Sequence, residues 1–360
     1  MKILAINDVK KGGGAELVFQ KSLKLLQNDH EMFSYTAKEE HKLNWKEAFG
    51  YIFSFSHASK LKKKIFEIRP DVVHLHNFYH FLSPSILWTL NRYKKELGFK
   101  VFMTIHDYHF LCANNGCLRW KNKQPITCEA CKGRNYLQIL FKQCDPRGFF
   151  FNLLKFLQHF LAYKILKLDE AIDTFIVPSK FLRKKMLSFC KKEKLLFLAN
   201  PAFGLQEALK EKQKISHKFE SIFIGRVCPE KGLKRFIEED YQAQKFGSFL
   251  IIGQSDKCYQ KELEKSIQKH NLQDYICFAG PKTHSEALSY LSSAKRLIFP
   301  SIWYENCPLT VLEAKALKKE IFHYKVGAIP EIVQEKENSL DEEQYSRKLQ
   351  AIFFEKELSL

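Results

Sequence analysis

The chain has 360 residues, 45 % of them apolar, which suits two ordinary domains with sizeable cores and argues against a disordered chain. Its 58 Lys and Arg against 40 Asp and Glu give a formal charge of +18, favouring an anionic partner: nucleic acid, a phospholipid surface or a phosphorylated ligand. The start, MKILAINDVKKGGGAE, reaches Asp8 and a lysine pair before any long apolar run, so it does not read as a signal peptide. No apolar stretch approaches the roughly 18 residues of a spanning helix. A cytosolic location is the expectation, with the ten cysteines mostly reduced.

In chain order, KILAI (2–6) reads as a strand, KKGGGAE as a glycine loop and LVFQKSLKLL as a helix. In SKLKKKIFEI (59–68), Leu61, Ile65 and Ile68 share one helical face opposite a lysine face. That pattern fits an anionic membrane surface or an ordinary solvated helix, and SKFLRKKMLSFCKKEK (179–194) is similar. The strand-then-helix pattern returns with DVVHLHN (71–77) before SPSILWTLNRY, with KVFMTIHD (100–107), and with IDTFIVPS (172–179). GFFFNLLKFLQHFLAYKILKL (148–168) is strongly apolar but carries Lys155, Gln158, His159 and Lys164, so it reads as a core or membrane-surface helix rather than a span. After a turn-rich linker at 201–216, a second series begins near 219: strands in FESIFIG, SFLIIG, YICFAG and KRLIFPS, then a helix in PLTVLEAKAL. Strands alternating with helices predict parallel sheets covered on both faces, here two doubly wound halves with a cleft between them. Ligands bind at the carboxyl ends of such strands.

Gly12, Gly13 and Gly14 sit between the first strand and a helix, where bare backbone N–H groups can approach an anion; a tight turn is the plain alternative. The spacing is neither G-x-G-x-x-G nor a Walker loop. Arg226 and Lys231, in GRVCPEKG after a strand, would neutralise a diphosphate as a metal does elsewhere, unless they are merely solvated charges. In YENCPLTVLEAKAL, Pro308 suits the first helical position, leaving the N–H groups of Leu309 and Thr310 open to an anion. Glu313 falls on an apolar stripe with Leu309 and Leu317, where a carboxylate needs hydroxyl or N–H partners. A Thr310/Glu313 capping box is the local alternative.

These motifs together resemble the retaining nucleotide-sugar glycosyltransferases with two Rossmann-like domains (the GT-B fold), in particular the family 4 group. The likeness runs through GGAE (13–16), TIHD (104–107), VPSKF (177–181), GRVCPEKG (225–232), FAG (278–280), FPSIWYENCPLTVLEA (299–314) and GAIPEIV (327–333). The Glu-x7-Glu pair, Glu305 and Glu313, is the most telling element. The resemblance implies an N-terminal acceptor-binding domain at 1–200, a C-terminal nucleotide-sugar domain at 217–341 and a C-terminal helix within 342–360 that would brace the first domain. It implies that Glu305 binds donor-sugar hydroxyls, Glu313 the ribose, and Arg226, Lys231 and the N–H groups of Leu309, Thr310, Gly13 and Gly14 the diphosphate. His106 would contact a sugar hydroxyl near the anomeric carbon. No protein nucleophile is implied, so Glu305 positions the sugar, and Glu305→Ala is expected to abolish transfer with the fold intact. Pro308 and Ala328 stand where many relatives have glycine.

Five cysteines between 112 and 144 follow C-x4-C-x10-C-x2-C-x12-C. Cys128 and Cys131, with Cys112, Cys117 or Cys144, are candidates for a structural zinc; catalysis itself implies no cofactor. The expected partners are a nucleotide-sugar donor, a polysaccharide, glycan or glycolipid acceptor and an anionic membrane surface. The reading from another class is a non-catalytic nucleotide-sugar or nucleic-acid binding protein of the same fold. Scattered basic residues and the lack of a recognised motif speak against nucleic acid.

Overall fold

The computed structural model describes residues 1–39, 48–122, 124–205, 219–335 and 340–354. The chain divides into two compact units, Met1–Asn200 with Glu342–Leu360, and Pro201–Asp341. From residue 206 onward the expected linker lies outside the described residues.

The first unit is built on β1 (Lys2–Val9), β2 (Glu31–Lys38), β3 (Val72–Leu75), β4 (Lys100–Thr104), β7 (Thr174–Val177) and β8 (Leu195–Phe197), all parallel in the order β2-β1-β3-β4-β7-β8; a separate antiparallel hairpin, β5 (Leu118–Lys121) and β6 (Gln124–Thr127), lies in the cysteine-rich insert. The central strands are nearly continuous apolar runs because both sheet faces are covered, and Ile3, Leu4, Ile6, Val73, Leu75 and Val101 are fully enclosed. Helix Phe55–Ile68 begins where the Ser54 side chain accepts the His57 N–H and ends at the left-handed Arg69. Its apolar face, Ala58, Leu61, Ile65 and Ile68, is buried in the core. Leu182 and Met186 of helix Lys180–Met186 are buried likewise. The apolar faces of these two basic helices are therefore spent on the fold, which overturns their reading as membrane-inserting faces. Helix Glu342–Phe353 belongs to this unit: Tyr345, Leu349 and Phe353 are buried, the Tyr345 hydroxyl lies 3.3 Å from Ser22 Oγ, and the Phe353 ring packs on His74 and Phe102.

The second unit has β9 (Ser221–Ile224), β10 (Phe249–Ile252), β11 (Ile276–Gly280), β12 (Arg296–Phe299) and β13 (Glu320–His323), parallel in the order β11-β10-β9-β12-β13. Phe223, Phe236, Phe246, Phe249, Ile251, Leu263 and Ile298 form its core. From β9 the chain winds outward to β11, then returns to β12 on the other side of β9. That reversal leaves a crevice at the carboxyl ends of β9 and β12, the place where doubly wound sheets receive ligands. The loops leaving those two strands carry Lys231 and Glu305. In the first unit the equivalent reversal lies between β1 and β3, beside the glycine loop and His76.

Candidate active site

In the second domain, Gly232 has φ +72° and a Cβ there would lie 2.0 Å from the Pro300 carbonyl oxygen, so glycine lets the loop after β9 lie against the exit of β12. The Ile302 N–H donates to the Glu230 carbonyl at 3.1 Å and fixes that contact. Lys231 Nζ thereby reaches Glu305 Oε1 at 2.6 Å, with side chains only 13 % and 7 % exposed. The same oxygen accepts the Ser301 hydroxyl at 2.7 Å and the Trp303 indole N–H at 2.5 Å. Three donors thus converge on Oε1, while Oε2 has no protein donor among the described residues. Gly327, φ +63°, presses the GAIPE segment onto this point: a Cβ would lie 2.6 Å from the Glu305 backbone, and the Ala328 N–H donates to Glu305 O at 2.9 Å. Arg226 is 68 % exposed, with Glu230 3.7 Å away.

Helix Leu309–Ala316 starts one residue later than expected. Pro308 has extended backbone (ψ 117°) and stands as the cap, not as the first helical residue, and the Thr310/Glu313 capping box does not form. Val311 and Leu312 donate to Pro308 O at 3.1 and 3.3 Å, whereas the N–H groups of Leu309 and Thr310 point out of the helix start without intrahelical acceptors. Glu313 is buried and its Oε1 accepts from His284 Nε2 at 2.7 Å. Like Glu305, it is held through one oxygen.

In the first domain, Gly13 caps helix Gly14–Leu26, and its N–H donates to Glu16 Oε2 at 2.8 Å. One of the two glycine amides assigned to a diphosphate is therefore engaged by the chain's own carboxylate. Asn7 and Asp8, at the end of β1, organise the loop after β3: Asn7 Oδ1 accepts from the Asn77 N–H, and Asp8 accepts from the N–H groups of His80, Phe81 and Leu82 at 2.8 to 3.0 Å. His106 Nε2 lies 2.8 Å from His76 Nδ1 with the rings stacked, and His74 bonds Thr104 Oγ1 at 2.8 Å. Burial lowers His106 to about 4 and His74 to about 3, and holds His76 well below its ordinary range. His106 is thus a neutral hydrogen-bonding group at neutral pH. Beside it Asp107 is pushed up to about 7 by burial, against the opposing hydrogen bonds from the Tyr79 hydroxyl and the His109 N–H.

His74, His76, Ser301, Trp303 and His284 are site components that the sequence motifs did not single out. The i, i+2 spacing of His74 and His76 at the end of a buried strand was the available signal, since it places both on one sheet face.

In the insert, Cys112, Cys117, Cys131 and Cys144 are buried and Cys128 is half-buried, all as free thiols. The Cys128 N–H donates to Cys117 O at 2.7 Å across the base of the β5–β6 hairpin. Among the described residues no group of three or more His, Cys, Asp or Glu side chains is arranged to hold a metal ion, so the geometry adds nothing for zinc.

Two Rossmann-like parallel sheets, the second carrying paired glutamates and a lysine at its strand ends, match the GT-B fold. Residues 206–355 match the family model described as "Glycosyl transferases group 1". A curated relative, alpha-D-kanosaminyltransferase of Streptomyces kanamyceticus, is 24 % identical over 162 residues; the match covers 42 % of this chain and only 41 % of that protein. The solved HepE of Anabaena, in complex with UDP and glucose, matches with a TM-score of 0.59 and 14 % identity over 98 % of this chain and 90 % of that one. Sucrose-phosphate synthase of Thermosynechococcus elongatus gives 0.62 and 18 % over the same shares, 98 % and 90 %. At such identities the likeness to solved structures is one of fold.

Glu305→Ala removes the partner of a buried lysine, so, against the expectation of an intact fold, it should cost about 3–5 kcal/mol in the second domain as well as activity. The double variant Lys231→Met/Glu305→Ala should regain part of that loss in thermal denaturation; an unchanged melt for the single variant would refute the structural role of the pair. A second prediction concerns His74, His76, His109 and His159, all buried, with His159 lowered to about 4 and His109 well below its ordinary range by burial. Below about 6.5 the unfolded chain binds protons that these folded imidazoles refuse, so stability is lost as pH falls from about 6.5 towards 4. Asp107 acts in the opposite sense between about 4 and 7, one proton against several. The thermal midpoint of the first domain should drop steeply between pH 6.5 and 4.5, and a flat profile would contradict this.

Proposed function

We propose that the protein is a retaining transferase that moves a sugar from a nucleoside-diphosphate sugar to a cell-surface polysaccharide or lipid-linked acceptor at the cytosolic membrane face. The observation that carries the donor half is the shared arrangement of the two glutamates. Glu305 and Glu313 are each held through Oε1 by protein donors, and each keeps a second oxygen without a protein donor among the described residues. A fixed carboxylate with one free oxygen is suited to a hydroxyl, and two of them suit a sugar and a ribose.

Chemically, cleavage of the bond between the anomeric carbon and the phosphate oxygen leaves negative charge on the diphosphate. Lys231 uses one of its three N–H bonds on Glu305, leaving the others to meet that charge, and the Leu309 and Thr310 N–H groups add the positive end of a helix. Arg226, exposed and loosely paired, supplies a further mobile cation. The Gly14 N–H is assigned to the same diphosphate. Glu305 orients the sugar through its free Oε2, and no protein nucleophile is assigned, as the family resemblance implies. His106, neutral, serves as a hydrogen-bonding partner for a sugar hydroxyl, and the acceptor hydroxyl attacks from the face the diphosphate leaves, its proton passing to the departing phosphate oxygen as the old C–O bond breaks. The UDP and glucose held by the Anabaena protein are consistent with a donor of this class.

Support for the membrane side comes from helix Phe149–His159 and the π turn Phe160–Ile165 that follows. Its polarity is inverted: Asn152, Gln158 and His159 are buried, bonding the Asp145 N–H, the Tyr51 and Tyr79 carbonyls, and the His109 carbonyl. Phe149 is 62 % exposed, Phe150 and Ile165 each 56 %, and Phe141, on the short helix before it, 80 %. Exposed Lys164 and Lys167 flank the apolar groups, the combination that seats a helix in an anionic lipid surface. Among the described residues no helix is long and apolar enough to cross a membrane.

Incubated with UDP-, GDP-, ADP- and CMP-sugars, the protein should hydrolyse or transfer from one nucleoside-diphosphate sugar, and Lys231→Ala should lower kcat/KM by roughly 10²–10³. Turnover of none would sink the enzyme reading. In flotation assays the protein should bind phosphatidylglycerol vesicles at low salt, and Phe149→Ser/Phe150→Ser/Ile165→Ser should reduce binding about tenfold. Absence of binding, or binding indifferent to those changes, removes the membrane role of this helix.

A further inference from the structure

Glu313 poses a problem that the donor reading alone does not solve. Its side chain is 4 % exposed on a helix whose neighbours Val311, Leu312 and Ala314 are buried, so its charge needs a partner before any ligand arrives. That partner is His284, which is 35 % exposed and lies 29 residues earlier in the sequence. His284 is the first residue of helix His284–Ser293, whose start is set by a capping box: Thr283 Oγ1 accepts the Glu286 N–H at 3.3 Å, and Glu286 Oε2 accepts the Thr283 N–H at 2.8 Å. The T-x-x-E signature therefore places the imidazole at a defined point, and from there Nε2–H reaches Glu313 Oε1 at 2.7 Å.

We propose that His284 is a positioning residue for nucleotide recognition: by holding Oε1 it fixes the carboxylate rotamer and directs Oε2 to the ribose hydroxyls of the donor. This rests on the reading of Glu313 as the ribose ligand. A carboxylate freed from His284 would still be present but no longer pre-oriented, so discrimination between ribose and a sugar lacking its hydroxyls would fall while the diphosphate contacts remained.

The test is calorimetric titration of the full chain with UDP, GDP and ADP, each against its 2′,3′-dideoxy form. Wild type should prefer the ribonucleotide of at least one pair by about tenfold, the worth of a hydrogen bond to a charged group. His284→Phe should bring that ratio close to one and lower the thermal midpoint, because the buried carboxylate loses its partner, and His284→Gln, which restores an N–H donor at similar reach, should recover most of both. If wild type binds none of the three, or does not distinguish the paired forms, the reading of Glu313 itself falls. If wild type distinguishes them and His284→Phe does so equally, Glu313 keeps its role and the positioning role of His284 is overturned.

Discussion

The ion pair between Lys231 and Glu305 is the constraint around which the second domain's ligand end is arranged. Enclosing two opposite charges costs more in lost hydration than their attraction returns unless further hydrogen bonds complete the arrangement. Ser301 and Trp303 supply those bonds, both to the oxygen that already meets the lysine. The backbone has to bring two loops together for this to happen, and it does so at glycines where no side chain would fit: Gly232 against Pro300 and Gly327 against Glu305. A pair so fully supported on one side leaves the other side of the carboxylate and two ammonium protons directed elsewhere, which suits a polar ligand that brings both hydroxyls and negative charge.

The first domain uses the opposite strategy. Its polar residues at the strand ends include imidazoles and tyrosines kept neutral by burial rather than paired as ions, and Asp107, raised to about 7. Asp8, fully enclosed near the end of β1, is satisfied by three backbone N–H groups of the loop after β3. Neutral hydrogen-bonding groups suit hydroxyls, whereas the second domain concentrates cations and helix N–H groups. The division of chemistry between the domains thus follows from how each buries its polar groups.

Much of this was legible in the chain. The buried central strands announced themselves as short apolar runs, and Glu305, Glu313 and Lys231 stood at positions whose spacing carried the resemblance. What escaped had physical reasons. β2, EMFSYTAK, is an edge strand with mixed, half-exposed residues, and β8 has only three residues, so neither shows a clear period. Pro308 was compatible with both cap and first helical position, and only its ψ decides between them. The lysine-rich helices looked amphipathic because they are, but their apolar faces are used inside the fold. The helix from Phe149 could be a core or a surface element by composition. That its polar residues face inward depends on acceptors supplied by Tyr51, Tyr79 and His109, far away in sequence. His284 reached the site in the same way, through a contact between two helices that no local pattern encodes.

We propose that lysine and helix N–H groups, rather than a divalent cation, receive the diphosphate. Calorimetric titration of the protein with the nucleoside diphosphate of its donor, with and without excess EDTA, tests this most directly. The account predicts the same Kd under both conditions and a large loss of affinity in Lys231→Met. Binding that appears only with a divalent cation present, or that is indifferent to Lys231, would contradict it.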